Sequence, residues 1–220
     1  MFFDRDDAGK QLAQKLKGYT GTNAVVYAVP RGGVVTGREV SRALDVPMDI
    51  VVACRVIHPM NKECAVCAVT EDGERVCDEV GVCCLDDAWI DVESKIQQEE
   101  ARRRRRVYRG SETPLSAEGR TAILVDDGVA TGLSMKAVIL AIQKQKPRKI
   151  VVATPVAPHR IVTELNQLVD EMVVLKDESH YKGTVSMYYK HFHAVSDKEV
   201  QAALGSVETM YNPRVDVEQV

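Results

Sequence analysis

Apolar residues gather in five short runs, at 24–29, 50–53, 122–125, 150–154 and 171–175, each bounded by turn formers or charged residues. The first four are too continuous for a strand with one wet face and read as strands buried on both sides, as in a parallel sheet. Between them the apolar spacing changes to the helical period. Residues 7–17 carry Ala8, Leu12, Ala13 and Leu16 on one face, with Gly18 and Gly21 as the stop. A second helix runs through Val34, Val35, Val40, Ala43 and Leu44, a third starts near Leu133, and a short one ends near Leu168. Strand, tight loop and helix in succession predict an α/β fold: a twisted, mainly parallel sheet flanked by helices.

The stretch from 56 to 118 breaks that rhythm. His58-Pro59-Met60-Asn61 reads as a loop, and residues 64–70 and 74–77 as a small hairpin around Glu71-Asp72-Gly73. Residues 86–107 read as a helix, with Glu99 and Glu100 set one turn before Arg103 and Arg104. The run Arg102 to Arg106 is expected to be a solvated face balanced by Asp91, Glu93, Glu99 and Glu100. Its competing use is to attract a polyanion. Pro155-Val156-Ala157-Pro158 is expected to end the fourth strand. The aromatic cluster of 186–195 (Tyr188, Tyr189, His191, Phe192, His193) is read as packing over the sheet, with stacking on a planar base as the alternative. Ser196 and Glu199 have capping-box spacing, and the last ten residues read as frayed. The expected organisation is one domain, 1–220, with a small hood contributed by about 56–118 and 179–220.

Two loops carry candidate chemistry. The run 122–125 delivers two adjacent carboxylates, Asp126 and Asp127, then a small-residue turn from Gly128 to Gly132, then a helix. A helix start offers unpaired N–H groups and partial positive charge to a phosphate. Thr131 and Ser134 add hydroxyls, while the acids can accept hydrogen bonds from sugar hydroxyls, directly or through hydrated Mg²⁺. The run 24–29 delivers Pro30-Arg31-Gly32-Gly33 ahead of another helix, and Arg31 suits a phosphate as a fork. Arg55 follows the third run and is expected at the same sheet edge, where open α/β sheets bind ligands.

Val125-Asp126-Asp127-Gly128-Val129-Ala130-Thr131-Gly132 resembles the phosphoribosyl pyrophosphate (PRPP) motif of the type I phosphoribosyltransferases. Pro-Arg-Gly-Gly-Val, the Glu-Asp-Gly turn and the Ser-Asp-Lys-Glu segment extend the likeness end to end, to a bacterial and archaeal group named provisionally as phosphoribosyltransferases. Cys64 and Cys67 depart from that group's usual small residues. The resemblance implies Mg²⁺-dependent transfer of the 5-phosphoribosyl group from PRPP to a nitrogen acceptor, such as a nucleobase, with pyrophosphate released. Asp126 and Asp127 would hold the ribose hydroxyls and, indirectly, Mg²⁺. Gly128, Val129, Ala130, Thr131, Gly132, Leu133 and Ser134 would wrap the 5′-phosphate. Arg31, Gly32, Gly33 and Arg55 would take the pyrophosphate, and Arg31 would join the acids in catalysis. The family usually keeps a mobile loop just before the PRPP strand, which makes Arg109 the candidate closing cation. Dimers are common in the family, so a homodimer is an open expectation.

Bulk properties alter this picture little. The 220 residues are 45% hydrophobic and 28% charged, ordinary for a globular protein. A net charge of −3 argues against a general nucleic-acid binder. No run is long enough to span a bilayer and the N-terminus lacks signal-peptide features, so a cytoplasmic protein without a membrane partner is expected. In a reducing compartment the six cysteines would be thiols, mostly packed as small hydrophobes among Ala and Val. Two other functions compete: a PRPP- or nucleotide-binding regulator on the same fold, and a metal-binding interaction protein using Cys64, Cys67 and their neighbours.

Overall fold

The structure, a computed structural model, describes residues 1–110 and 112–211, apart from the side chains of 208–211. Residues 212–220, within the tail expected to fray, lie outside it. The chain runs α1 (Arg5–Lys15), β1 (Ala24–Ala28), α2 (Gly32–Leu44), β2 (Met48–Ile50), β3 (Ala53–His58), β4 (Asn61–Thr70) and β5 (Arg75–Cys77). It continues through α3 (Glu79–Val82), α4 (Asp87–Arg109), β6 (Thr121–Val125), α5 (Leu133–Lys144), β7 (Lys149–Pro158), α6 (His159–Asn166), β8 (Glu171–Glu178) and α7 (Asp197–Tyr211). Five strands form a parallel sheet in the order β2-β1-β6-β7-β8, and β3-β4-β5 form a small antiparallel sheet. The expected α/β class is what the chain adopts.

Side-chain alternation explains why the runs are apolar throughout. Val26, Ala28, Ile123, Val125, Val151 and Ala153 point to the face packed by α1, α2 and α7. Val25, Tyr27, Ala122, Leu124 and Val152 point to the other, against Met135, Val138, Ile139 and Ile142 of α5 and Ile161 and Leu165 of α6. Both faces are covered, so both sets are buried. The two central strands, β1 and β6, pair from Ala24↔Thr121 to Ala28↔Val125, so their following loops leave the sheet side by side.

Several boundaries differ from the sequence reading. Helix α1 begins at Arg5 because Asp4 caps it, accepting from the Asp7 amide at 2.9 Å. The third apolar run is not one strand: Met48–Ile50 joins the main sheet, and Ala53–His58 departs into the small one, taking His58 out of the expected loop. Glu71 stitches this crossing. Its amide donates to Val52 O (3.3 Å), and its carboxylate accepts from Val52 N (2.8 Å). Strand β7 continues through Pro155 to Pro158. Ladder pairing with β6 stops at Val125↔Ala153, and beyond it the ladder continues with β8 alone. Among the described residues the other side meets only the Val129 amide, which donates to Val156 O at 2.9 Å, so it is an edge where proline is tolerated.

The cysteines also depart from expectation. Cys67 and Cys77 face each other across β4 and β5 and form a disulfide rather than two thiols, a register that sequence spacing does not reveal. Cys83 and Cys84 are exposed after α3, while Cys54 alone is a fully buried thiol, its pKa raised by that burial. The capping box at Ser196 forms, with Glu199 accepting from the Ser196 amide at 2.7 Å. Among the described residues no helix is long and apolar enough to cross a membrane.

Helix α4 is anchored to the sheet by buried charge. Asp49 of β2 receives Arg105 Nη2 at 3.0 Å, Arg109 Nε at 3.0 Å and the Leu115 amide at 2.8 Å. Arg109 also donates to Met48 O at 2.5 Å. It is therefore not a closing cation on a mobile loop. Tyr108 and Arg109 complete α4, and buried Asp49 recruits the arginine inward. Arg105 likewise leaves the solvated face expected of it.

Glu71 yields a pH prediction. Burial pushes its pKa up from 4.5 to about 7. Between those values the native carboxyl keeps a proton that the unfolded chain releases, so this group's contribution to stability falls as pH rises from 4.5 to about 7. Glu71→Gln is expected to match the wild type near pH 5 and exceed it by about 1–3 kcal/mol near pH 8. Urea titrations of both proteins at the two pH values check this; an unchanged difference contradicts it.

Candidate functional site

The loops after β1 and β6 open into a cavity of about 470 Å³, within the range of small-ligand sites. Its floor is the C-terminal edge of the parallel sheet: Val29, Pro30, Arg31 and Gly32 on one side, the chain from Asp126 to Gly132 on the other. Ser134 and Met135 of α5 complete that side. The small sheet and α4 close it from above with Ala53, Cys54, Arg55, Ile57, Gln97 and Arg104, and Val185 adds an apolar contact. Helices α2 and α5 both begin at this edge, so two sets of unpaired helix N–H groups border one cavity. Gly132 has φ of 79°, a left-handed conformation that turns the chain sharply into α5.

The acidic pair is not two equivalent carboxylates. Asp127 Oδ2 receives Arg5 Nε at 2.6 Å, and Arg5 is itself buried. The same guanidinium donates to His193 O at 2.8 Å and lies 3.8 Å over the Phe192 ring. Tyr189 Oη donates to Asp127 O at 2.5 Å. Asp126 Oδ1 accepts from the Asp127 amide at 2.8 Å, and among the described residues Asp126 makes no ion pair. Burial, followed by the neighbouring Asp127 charge, raises the Asp126 pKa well above the usual carboxylate range. One acid is paired with an arginine; its neighbour is poised to gain a partner.

Gly32 serves this pair directly. A Cβ built on it would lie 1.8 Å from Asp127 Oδ2 and 2.8 Å from Arg5 Nε. The glycine expected to admit a ligand thus also admits the Arg5–Asp127 pair.

Most residues selected from the sequence converge on the cavity. Asp126, Asp127, Gly128, Val129, Ala130, Thr131, Gly132, Ser134, Arg31, Gly32 and Arg55 line it. Leu133 does not: its side chain is buried with Ala68 of β4 and Ala137, and only its backbone stands at the helix start. Gly33 packs against the end of β6 instead, where a Cβ would meet Val125 O at 2.9 Å. Arg31 lines the cavity, but its guanidinium also reaches Asp197 Oδ1 (3.3 Å) and Val195 O (3.3 Å) at the start of α7. The aromatic cluster serves packing, as expected: Tyr188 and Tyr189 are buried with Phe2 and Ala8, and no aromatic ring among the described residues lines the cavity.

Two contributors carry no mark that the sequence reading used. Arg5 lies far from Asp127 in sequence and has no local motif, so nothing nearby signals it. Arg104 is hidden in a run of five, although the helical period offers a signal: Gln97, Ala101, Arg104 and Tyr108 share one stripe, and Ala101 and Tyr108 are buried.

Comparison with known proteins agrees with this geometry. The phosphoribosyl transferase domain profile matches residues 5–191. A Mycobacterium tuberculosis (H37Rv) protein provisionally named a phosphoribosyl transferase is 37% identical over 206 residues, covering 93% of this chain and 46% of its own. The chain therefore spans about half the length of the curated relatives it matches. The crystal structure of TT1426 from Thermus thermophilus is 37% identical with a TM-score of 0.78, covering 94% of this chain and 99% of that one. The AQ2163 protein of Aquifex aeolicus (10% identity, TM-score 0.50, covering 79% and 74% of the two chains) shares the fold alone. With its parallel sheet, its two loops bordering one cavity and a profile match across most of its length, the chain belongs to the phosphoribosyl transferase domain family.

Proposed function

We propose that the protein transfers the 5-phosphoribosyl group of PRPP to a nitrogen acceptor and releases pyrophosphate. The observation that carries this reading is the acidic pair Asp126–Asp127 set at one cavity with the N-termini of α2 and α5. In this reading the α5 start, with Thr131 and Ser134, takes the 5′-phosphate. The carboxylates accept from the ribose 2′- and 3′-hydroxyls, and Arg31, Arg55 and the α2 start take the pyrophosphate. The bond from C1 to the pyrophosphate oxygen breaks as the bond from C1 to the acceptor nitrogen forms, through an oxocarbenium-like state. The protein needs no covalent nucleophile. It aligns the reacting atoms and stabilises charge on both sides of C1. An all-oxygen donor pair suits a hard cation, so Asp126 and Asp127 would hold Mg²⁺ through its waters, and bound Mg²⁺ supplies positive charge for the departing pyrophosphate.

A nucleobase is the first acceptor class to try, and a cytoplasmic setting is consistent with a freely diffusing substrate. The regulator reading uses the same cavity but forms no product. Its other support, an arginine face for nucleic acid, is weakened by how that run is used. Arg102, Arg103 and Arg104 pair with Glu99 or Glu100, and Arg105 with Asp49. Incubation with ribose-labelled PRPP, Mg²⁺ and a panel of bases and small amines tests the proposal by mass spectrometry. It predicts a ribosylated product with one acceptor class. PRPP binding without any product would favour the regulator.

Gly32→Ala provides a milder check. The added methyl would displace the Asp127 carboxylate from Arg5, losing a charge-assisted hydrogen bond worth about 1.5–3 kcal/mol. PRPP affinity is expected to fall about tenfold or more, with far-UV dichroism unchanged. Unaltered affinity would mean that the Arg5–Asp127 geometry is not what binds.

A further inference from the structure

We propose that Arg104 of α4 is a pyrophosphate-binding residue, a second cationic fork that grips the diphosphate from above the sheet, opposite the Arg31 loop. The proposal rests on the reading of this cavity as a PRPP site. Within the arginine run the tasks divide by helix face. Arg102 donates to Glu71 O and pairs with Glu99; Arg103 makes two bonds to Glu100 (2.6 and 2.9 Å) and is half exposed. Arg105 and Arg109 turn inward to Asp49. Arg104 alone of the run lines the cavity, on the stripe that also carries Gln97.

Its position along the helix identifies the end of the ligand it meets. Tyr108, one turn further on, donates to Asp197 Oδ1 at 2.9 Å, and the same oxygen receives Arg31 Nε at 3.3 Å. The Arg104 stripe therefore runs over the Arg31 side of the cavity.

Its bonding leaves it able to act. Arg104 donates through Nε to Glu100 Oε1 at 2.7 Å, and its terminal nitrogens meet no acceptor among the described residues. Arg103 engages both oxygens of Glu100, so that carboxylate stays paired if Arg104 re-aims. The anchoring of Arg105 and Arg109 fixes α4 against β2, so little backbone ordering is required. A planar fork beside Arg31 and Arg55 fits the bidentate oxygens of a diphosphate.

The test compares Arg104→Gln and Arg104→Lys with Arg103→Gln, which removes a neighbouring partner of the same Glu100. Calorimetry would measure binding of pyrophosphate with Mg²⁺ and, separately, of ribose 5-phosphate, which carries the sugar and phosphate but no diphosphate. Arg104→Gln is expected to weaken pyrophosphate binding about ten- to a hundredfold, with ribose 5-phosphate affinity retained. Arg104→Lys should fall between, and Arg103→Gln should stay within about twofold of wild type. Pyrophosphate affinity unchanged in Arg104→Gln overturns the proposal, as does an equal loss of both ligands in both Arg104 variants. A wild type that binds ribose 5-phosphate but not pyrophosphate overturns it while sparing the sugar-phosphate site. A wild type that binds neither ligand removes the proposed function and this inference together.

Discussion

Changing Asp126 and Asp127 together to asparagine is expected to weaken PRPP binding at least about a hundredfold while leaving the protein folded. Each carboxylate stands at the end of β6 rather than within it, and asparagine keeps its shape. The Asp126 carboxylate is costly to ionise where it sits, so a neutral amide removes a penalty rather than a support. The amide that replaces the Asp127 carboxylate would still present an oxygen to Arg5 Nε, and Arg5 retains His193 O and the Phe192 ring as its other contacts. What disappears is the negative charge proposed to face the ribose and its cation. Calorimetric titration with PRPP and Mg²⁺ reads the loss, and a urea melt reports on the fold. Unchanged PRPP affinity in a folded double variant would remove these residues from the site.

Asp49→Ala is expected to have the largest effect on stability, about 3–5 kcal/mol, the range for removing one partner of a buried ion pair. Asp49 is 2% exposed and gathers Arg105, Arg109 and the Leu115 amide from a helix and a loop distant in sequence. Alanine would leave Arg105 with the Ile50 carbonyl and with Glu71, 3.6 Å away, and would strand the Leu115 N–H. Against a typical total stability of about 5–15 kcal/mol, a melting point lower by roughly 10 °C follows. Asp49→Asn, which keeps an acceptor, should lose less. Urea denaturation of the three proteins measures the series; a loss below about 1 kcal/mol for alanine would mean that Asp49 is not the anchor of α4.

The legible parts of this molecule were those encoded locally. Two apolar runs followed by Asp126-Asp127 and by Arg31-Gly32-Gly33 specify their own strand, turn and helix start, and both loops reach the expected edge. The parallel sheet followed from the same runs, because only burial on both faces permits such continuous apolarity. What escaped depends on pairs far apart in the chain. Arg5 meets Asp127, Asp49 draws Arg109 inward, and Cys67 opposes Cys77 by strand register. None of these has a spacing that a linear reading detects. Val52 shows a subtler failure. Its apolar neighbours suggest one strand, yet Glu71, placed by the β4–β5 turn, holds the chain where it passes from one sheet to the other. The prolines of β7 misled because proline forbids a central strand but not an edge, and edge status is a property of the finished sheet. Arg104 lay within reach, since the stripe through Ala101 and Tyr108 marks the inward face of α4.

Hydrogen–deuterium exchange with and without saturating PRPP and Mg²⁺ tests the central claim most directly, because it locates the ligand on the chain without assuming an acceptor. The account predicts slowed exchange in peptides covering residues 30–34 and 126–136, where the loops and the starts of α2 and α5 border the cavity. Peptides covering 143–148 and 167–170, at the opposite edge of the sheet, should be unaffected. Protection confined to that opposite edge, or none at a concentration where calorimetry shows PRPP bound, would contradict it.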